Sequence, residues 1–77
     1  MKHVKILGTG CAGCKATERL VRSVLAATGV QAELEKVEDV PSIARYGVMS
    51  TPGVVIDGTV VHAGGVPSRR QVERWFA

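Results

Sequence analysis

Aromatic side chains are scarce: Tyr46, Trp75 and Phe76 are the only ones in 77 residues. A core built from this chain must therefore rest on Val, Leu, Ile and Ala. Apolar types still make up 45% of the residues, which fits a folded globule and argues against disorder. Charge of a single sign is lacking too. The formal net charge is +3, but Arg69, Arg70 and Arg74 sit near one end, while Glu33, Glu35, Glu38 and Asp39 form an acidic stretch in the middle. Mixed charge of this kind marks a solvated surface and argues against a nucleic-acid partner. No apolar run approaches the ~20 residues a membrane helix needs. The opening Met1-Lys2-His3-Val4-Lys5-Ile6-Leu7 also lacks the apolar stretch of a signal peptide. We expect one domain, residues 1–77, acting as a monomer in the cytoplasm without membrane contact.

Cysteine occurs only as Cys11 and Cys14, in one Cys-x-x-Cys. Small domains held together by disulfides spread their cysteines to close long loops. A bond across so short a loop constrains the unfolded chain by about 2 kcal/mol in the chain-entropy model, and by less where a helix already orders it. The pair is a poor staple, and in a reducing compartment it points to redox chemistry or metal binding.

Around it, Val4-Lys5-Ile6-Leu7 reads as a strand and Gly8-Thr9-Gly10 as a loop. A helix follows from Cys11 or Ala12 to Thr28, with Thr17, Leu20, Val21, Val24 and Leu25 in its inward stripe. Glu18 and Arg22 have favourable i,i+4 spacing on its outer side, and Gly29 is placed to cap it. Val30-Gln31-Ala32-Glu33-Leu34-Glu35 alternates as a second strand, which a helical crossover makes parallel to the first. Asp39 can cap a short helix with Pro41 in its first turn, Gly47 at its end, and Ile43 and Tyr46 facing inward. Two apolar runs, Gly53–Ile56 and Val60–Ala63, flank Asp57-Gly58, a strong hairpin signal. After Gly64-Gly65, Ser68 and Gln71 form a capping box for a last helix anchored by Val72, Trp75 and Phe76.

The turn between first strand and helix fits three chemistries. Gly8, Gly10 and Gly13 satisfy the G-x-G-x-x-G of a dinucleotide site, and Glu33 and Glu35 lie roughly 20 residues beyond, where that fold places its ribose acid. A hairpin then follows where such a domain continues with parallel units. A Walker loop fails because Cys14 stands in place of its lysine. Alternatively, two thiolates at a loop–helix junction can hold Cu(I) or Zn(II) in a small metal-carrier module. Copper-chaperone domains resemble the Gly10–Cys14 segment but end in a strand. A zinc site would need two more ligands, from His3, His62 or a second chain. The third chemistry is thiol–disulfide exchange. A cysteine at a helix N-terminus lies among unpaired N–H groups and the positive end of the dipole, which favours thiolate, and Lys15 adds charge nearby. On this reading Cys11 attacks and the more buried Cys14, one turn along, resolves.

Cys11-Ala12-Gly13-Cys14 after the first strand, with Tyr46-Gly47-Val48-Met49-Ser50-Thr51-Pro52 before the hairpin, resembles the thioredoxin superfamily along the whole chain. The likeness is to its very small thioredoxin-like, redox-active disulfide branch of archaea and bacteria. The resemblance implies an α/β minimal thioredoxin fold in the order βαβ-α-ββα. Its four-stranded mixed sheet would carry the first and last helices on one face and the middle helix on the other. It also implies a cis Thr51–Pro52 bond facing the cysteines, with Thr51 backbone free to pair with an extended substrate. No bound cofactor is implied beyond the Cys11–Cys14 disulfide itself. Disulfide-containing proteins would be the substrates, and a flavoprotein disulfide reductase or glutathione the electron donor. The chain departs from the family in lacking Trp before Cys11 and Pro before Cys14. Lys5 falls where the family has a buried aspartate, so Lys5 or water are the candidate proton acceptors for Cys14. Gly64-Gly65 resembles the glutathione-side glycines of glutaredoxins, although a flexible strand-to-helix turn is the simpler reading. His62 is expected on a strand face.

Overall fold

A computed structural model describes residues 1–77. The elements run β1 (Lys2–Leu7), α1 (Ala12–Thr28), β2 (Ala32–Val37), α2 (Val40–Arg45), β3 (Gly53–Ile56), β4 (Thr59–Ala63) and α3 (Arg69–Trp75). One mixed sheet has the order β2-β1-β3-β4. β1 and β2 are parallel, from Lys2 opposite Ala32 to Leu7 opposite Val37. β3 is antiparallel to both β1 and β4. This is the arrangement that the resemblance implies.

Local chemistry explains most element ends. Gly29 closes α1 in the left-handed conformation, its N–H donating to the Leu25 carbonyl. Asp39 accepts from the Ser42 N–H at the start of α2, with Pro41 in the first turn where no donor is missed. Ser68 and Gln71 form the reciprocal capping box of α3. Asp57 and Gly58 both take positive φ, 49° and 83°, as a tight hairpin between twisted strands requires.

The second strand is where spacing misleads. Alternation starts at Val30, but pairing starts at Ala32 and runs on to Val37. Leaving the Gly29 cap, the chain needs Val30 and Gln31 to reach the sheet, where the Gln31 carbonyl accepts from Lys2 N–H. The far end follows β1, since each added residue there finds a parallel partner.

Alternation along β1 sorts the two faces. Val4 and Ile6 join Val54 and Ile56 beneath Val21 and Val24 of α1 and Val72 and Phe76 near α3. Leu7 and Val55 point the other way, against Ile43 of α2 and Val48. Buried Thr17 interrupts the apolar stripe of α1 without penalty, because its hydroxyl donates to the Gly13 carbonyl at 2.8 Å.

Candidate active site

Buried Leu7 ends β1, and the Gly8 N–H still donates to the Val37 carbonyl, so the loop to α1 leaves directly from the sheet. Gly10 turns the chain with φ 87°, a conformation that favours glycine. Cys11 follows as the N-cap of α1. Its Sγ accepts from the Cys14 N–H at 3.1 Å, one of the donors that a helix start leaves free. Cys11 and Cys14 are joined in a disulfide, with Cα atoms 5.0 Å apart. No acidic residue lies in the first turn, so the positive end of the α1 dipole acts on the pair unopposed by charge within that turn. Their settings differ: Cys11 is exposed, whereas Cys14 is 5% exposed.

A Cβ on Gly8 would run into Cys14 Sγ, so only glycine leaves space for that sulfur against β1. A Cβ on Gly13 would lie 3.6 Å from both Pro52 Cδ and Val66 Cγ2, which places those two side chains against the cysteine turn. The Thr51–Pro52 peptide bond is cis. Pro52 is buried and Thr51 exposed, and the Pro52 carbonyl accepts from the Gly64 N–H at 2.9 Å. Gly64 has φ 82° and packs against Ser50. The glycine pair thus tethers the loop before β3 and is not a free turn. Met49 (99% exposed) and half-exposed Val66 give this end of the molecule its apolar surface. Sequence reasoning passed over Val66, and it read Gly8 and Met49 as parts of motifs without seeing what they border. Gly8 could have been suspected from its place between a buried strand and a buried sulfur.

Cys14 borders a cavity of about 100 Å³ that it shares with Lys15, Glu18, Lys36 and Glu38. Glu18 is engaged by Arg22 Nε at 2.9 Å and Lys36 Nζ at 3.7 Å. The Arg22 hydrogen bond holds its carboxyl below the ordinary value, Lys36 acts in the same sense, and burial opposes both. Lys5 lies elsewhere. It donates to the Tyr46 hydroxyl at 3.0 Å, pairs with Glu35 at 3.6 Å, and borders a separate cavity beside α2. The Tyr46 hydrogen bond chiefly raises the Lys5 pKa above its usual value, so the side chain is protonated and cannot accept a proton. That leaves the Lys5 candidate without support.

The extra ligands a zinc site would need are not gathered. His3 pairs with Glu33 at the opposite end of β1 from the cysteines. His62 Nε2 donates to the Gly65 carbonyl at 2.9 Å and its ring rests near Trp75. No group of three or more His, Cys, Asp or Glu side chains is arranged to hold a metal ion. The dinucleotide reading fails on topology, because β3 returns antiparallel where a further parallel unit would stand.

A family model described as a thioredoxin domain matches residues 2–77. A protein named thioredoxin from Methanothermobacter thermautotrophicus is 32% identical over 74 residues, covering 96% of each chain. Another of that name, from Methanocaldococcus jannaschii, is 39% identical over 73 residues, covering 95% of this chain and 84% of its own. An exposed sulfur on a helix N-terminus, already bonded to a buried one a turn away, is the apparatus of dithiol–disulfide exchange. With that geometry and those relatives, this chain belongs to the thioredoxin domain family and is a thiol–disulfide oxidoreductase.

Proposed function

We propose that the chain reduces disulfides in protein substrates, with Cys11 as the attacking sulfur and Cys14 as the resolving one. The observation that carries this is the difference in exposure: Cys11 caps α1 in the open, while Cys14 is 5% exposed behind it. As a thiolate, Cys11 attacks one sulfur of a substrate disulfide and expels the other as a thiolate. Cys14 then attacks Cys11 Sγ, the substrate's second sulfur leaves, and the Cys11–Cys14 bond closes. Two electrons pass to the substrate, and none needs a resident cofactor. Exposed Thr51, held beside the cysteines by Pro52, offers backbone to an extended substrate segment, and Met49 and Val66 offer apolar contact. A flavoprotein disulfide reductase or glutathione resets the disulfide. The proposal includes a reducing compartment such as the cytoplasm, with the chain working there as one domain and as a monomer.

Trapping tests the roles. Cys14→Ser should accumulate mixed disulfides with substrate proteins, detected by mass spectrometry, because no internal thiolate remains to release them from Cys11. Cys11→Ser should trap almost nothing. Equal trapping by both variants, or none by either, overturns the assignment. Insulin reduction assayed separately with thioredoxin reductase plus NADPH and with glutathione identifies the electron donor.

A further inference from the structure

Resolution requires that the Cys14 thiol lose its proton, and Cys14 is buried with Lys5 out of reach. The cavity against its sulfur therefore bounds the candidate acceptors. Four ionisable side chains share it: Lys15 and Glu18 from α1, Lys36 from β2, and Glu38 just beyond β2. Lys15 and Lys36 end in ammonium groups, which donate hydrogen bonds and offer no acceptor site. Glu18 is a carboxylate, but its oxygens are taken by Arg22 and Lys36. Glu38 is different, for no Lys, Arg or His nitrogen lies within ion-pair distance of it. Its Oε2 is 3.8 Å from where a Cβ on Gly10 would stand, so the carboxylate leans over the loop leading into Cys11. The cavity of about 100 Å³ has room for water between the two groups, at ~30 Å³ per molecule.

Resting on the resolving role proposed for Cys14, we infer that Glu38 is the proton acceptor for Cys14, reached directly or through one water in the cavity it shares with that sulfur. In the mixed disulfide, the Cys14 S–H proton passes to the Glu38 carboxylate. The freed electron pair forms the bond to Cys11 Sγ, and the Cys11–substrate S–S bond breaks. The departing substrate thiolate carries that bond's pair and later takes the proton, which returns Glu38 to its carboxylate. General base assistance of this kind is typically worth ~10²–10⁴ in rate, at the low end where the acceptor is much less basic than the thiol.

The test uses the reduced protein and 5,5′-dithiobis(2-nitrobenzoate) in stopped flow at 412 nm. Attack by Cys11 releases a first thionitrobenzoate, and resolution by Cys14 releases a second. Glu38→Gln should slow the second phase relative to the first about a hundredfold near pH 6–7. That gap should close as pH passes the ordinary thiol value of about 8.5, where hydroxide takes over. Glu38→Asp should recover part of the loss. The direction is diagnostic, because removing a nearby negative charge by itself eases thiolate formation and would speed the second phase. A second phase in Glu38→Gln as fast as wild type or faster at pH 6–7 overturns the inference, as does a slowing that is equal at all pH values. A second phase that survives in Cys14→Ser overturns the resolving role and the inference with it. Its loss there, beside an unaffected Glu38→Gln, overturns the inference alone.

Discussion

The two faces of the sheet are built to different standards. The face under α1 and α3 buries eight apolar residues from four elements and the C-terminal end, without a single charged group among them. Beneath α2 only Leu7, Ile43, Val48 and Val55 are buried together, and Lys5, Tyr46 and Glu35 continue that surface as a polar network open to water. The cysteines belong to the thicker face, since Cys14 lies in the buried stripe of α1 with Thr17, Val21 and Val24. A nucleophile whose geometry must persist through cycles of oxidation and reduction is thus attached to the side least able to shift. The thin side holds up the loop that presents Thr51 and Pro52, and has less packing to do.

Equal truncations on the two faces should test this most severely. Ile6→Ala beneath α1 should cost about 4 kcal/mol and Ile43→Ala beneath α2 about 2 kcal/mol, within the usual range for such cavities. Urea denaturation of both variants would measure it. Equal losses would mean that α2 is as well anchored as α1 and that the comparison fails. Gly8→Ala comes next, because its new methyl meets Cys14 Sγ and must push either the sulfur or β1 aside. We expect about 1–3 kcal/mol from overpacking, with slower resolution of the mixed disulfide. Unchanged stability and unchanged kinetics would show that Cys14 has more freedom than its burial suggests.

The smallest effects concern the caps, one on each face. Ser68→Ala removes the cap of α3 and should cost about 1 kcal/mol, independent of pH. Asp39→Ala removes the cap of α2, and its cost should depend on pH. The side-chain hydrogen bond with Ser42, followed by the Ser42 backbone N–H, holds the Asp39 pKa below the ordinary carboxylate value. Its stabilisation is therefore complete above that ordinary value and is lost as pH falls through the lowered one. Wild type and Asp39→Ala should converge in acid while wild type and Ser68→Ala stay apart. A constant gap for Asp39→Ala would assign its effect to packing instead of charge.

Much of this was legible from local pattern. Gly29, Asp39, Asp57-Gly58 and the Ser68–Gln71 pair act within a few residues of themselves, so their turns and caps could be read directly. The Val21 and Val24 stripe, and the placing of Cys11 at a helix start, were legible for the same reason. Alternation located β2 only to within two residues, because its register is fixed by Lys2 across the sheet and not by its own side chains.

What one residue finds across space was another matter. Counting along the chain put Lys5 forward as a partner for Cys14. Its direction follows from the pleat, which turns it away from Val4 and Ile6 toward Tyr46. Glu38 looked like one member of an acidic stretch until folding set it in the cavity beside Cys14 and left its neighbours elsewhere. Likewise Gly8 is explained by the sulfur that occupies the space next to it, and Gly64 by Ser50 and its own positive φ. The sequence by itself determined the cysteine pair and most turns and caps, which are written in short-range spacing, and the family, which two motifs along the chain carry together. Only the tertiary structure decided which cysteine is shielded, which carboxylate shares its cavity and what Lys5 holds, because those depend on contacts between residues far apart in the chain.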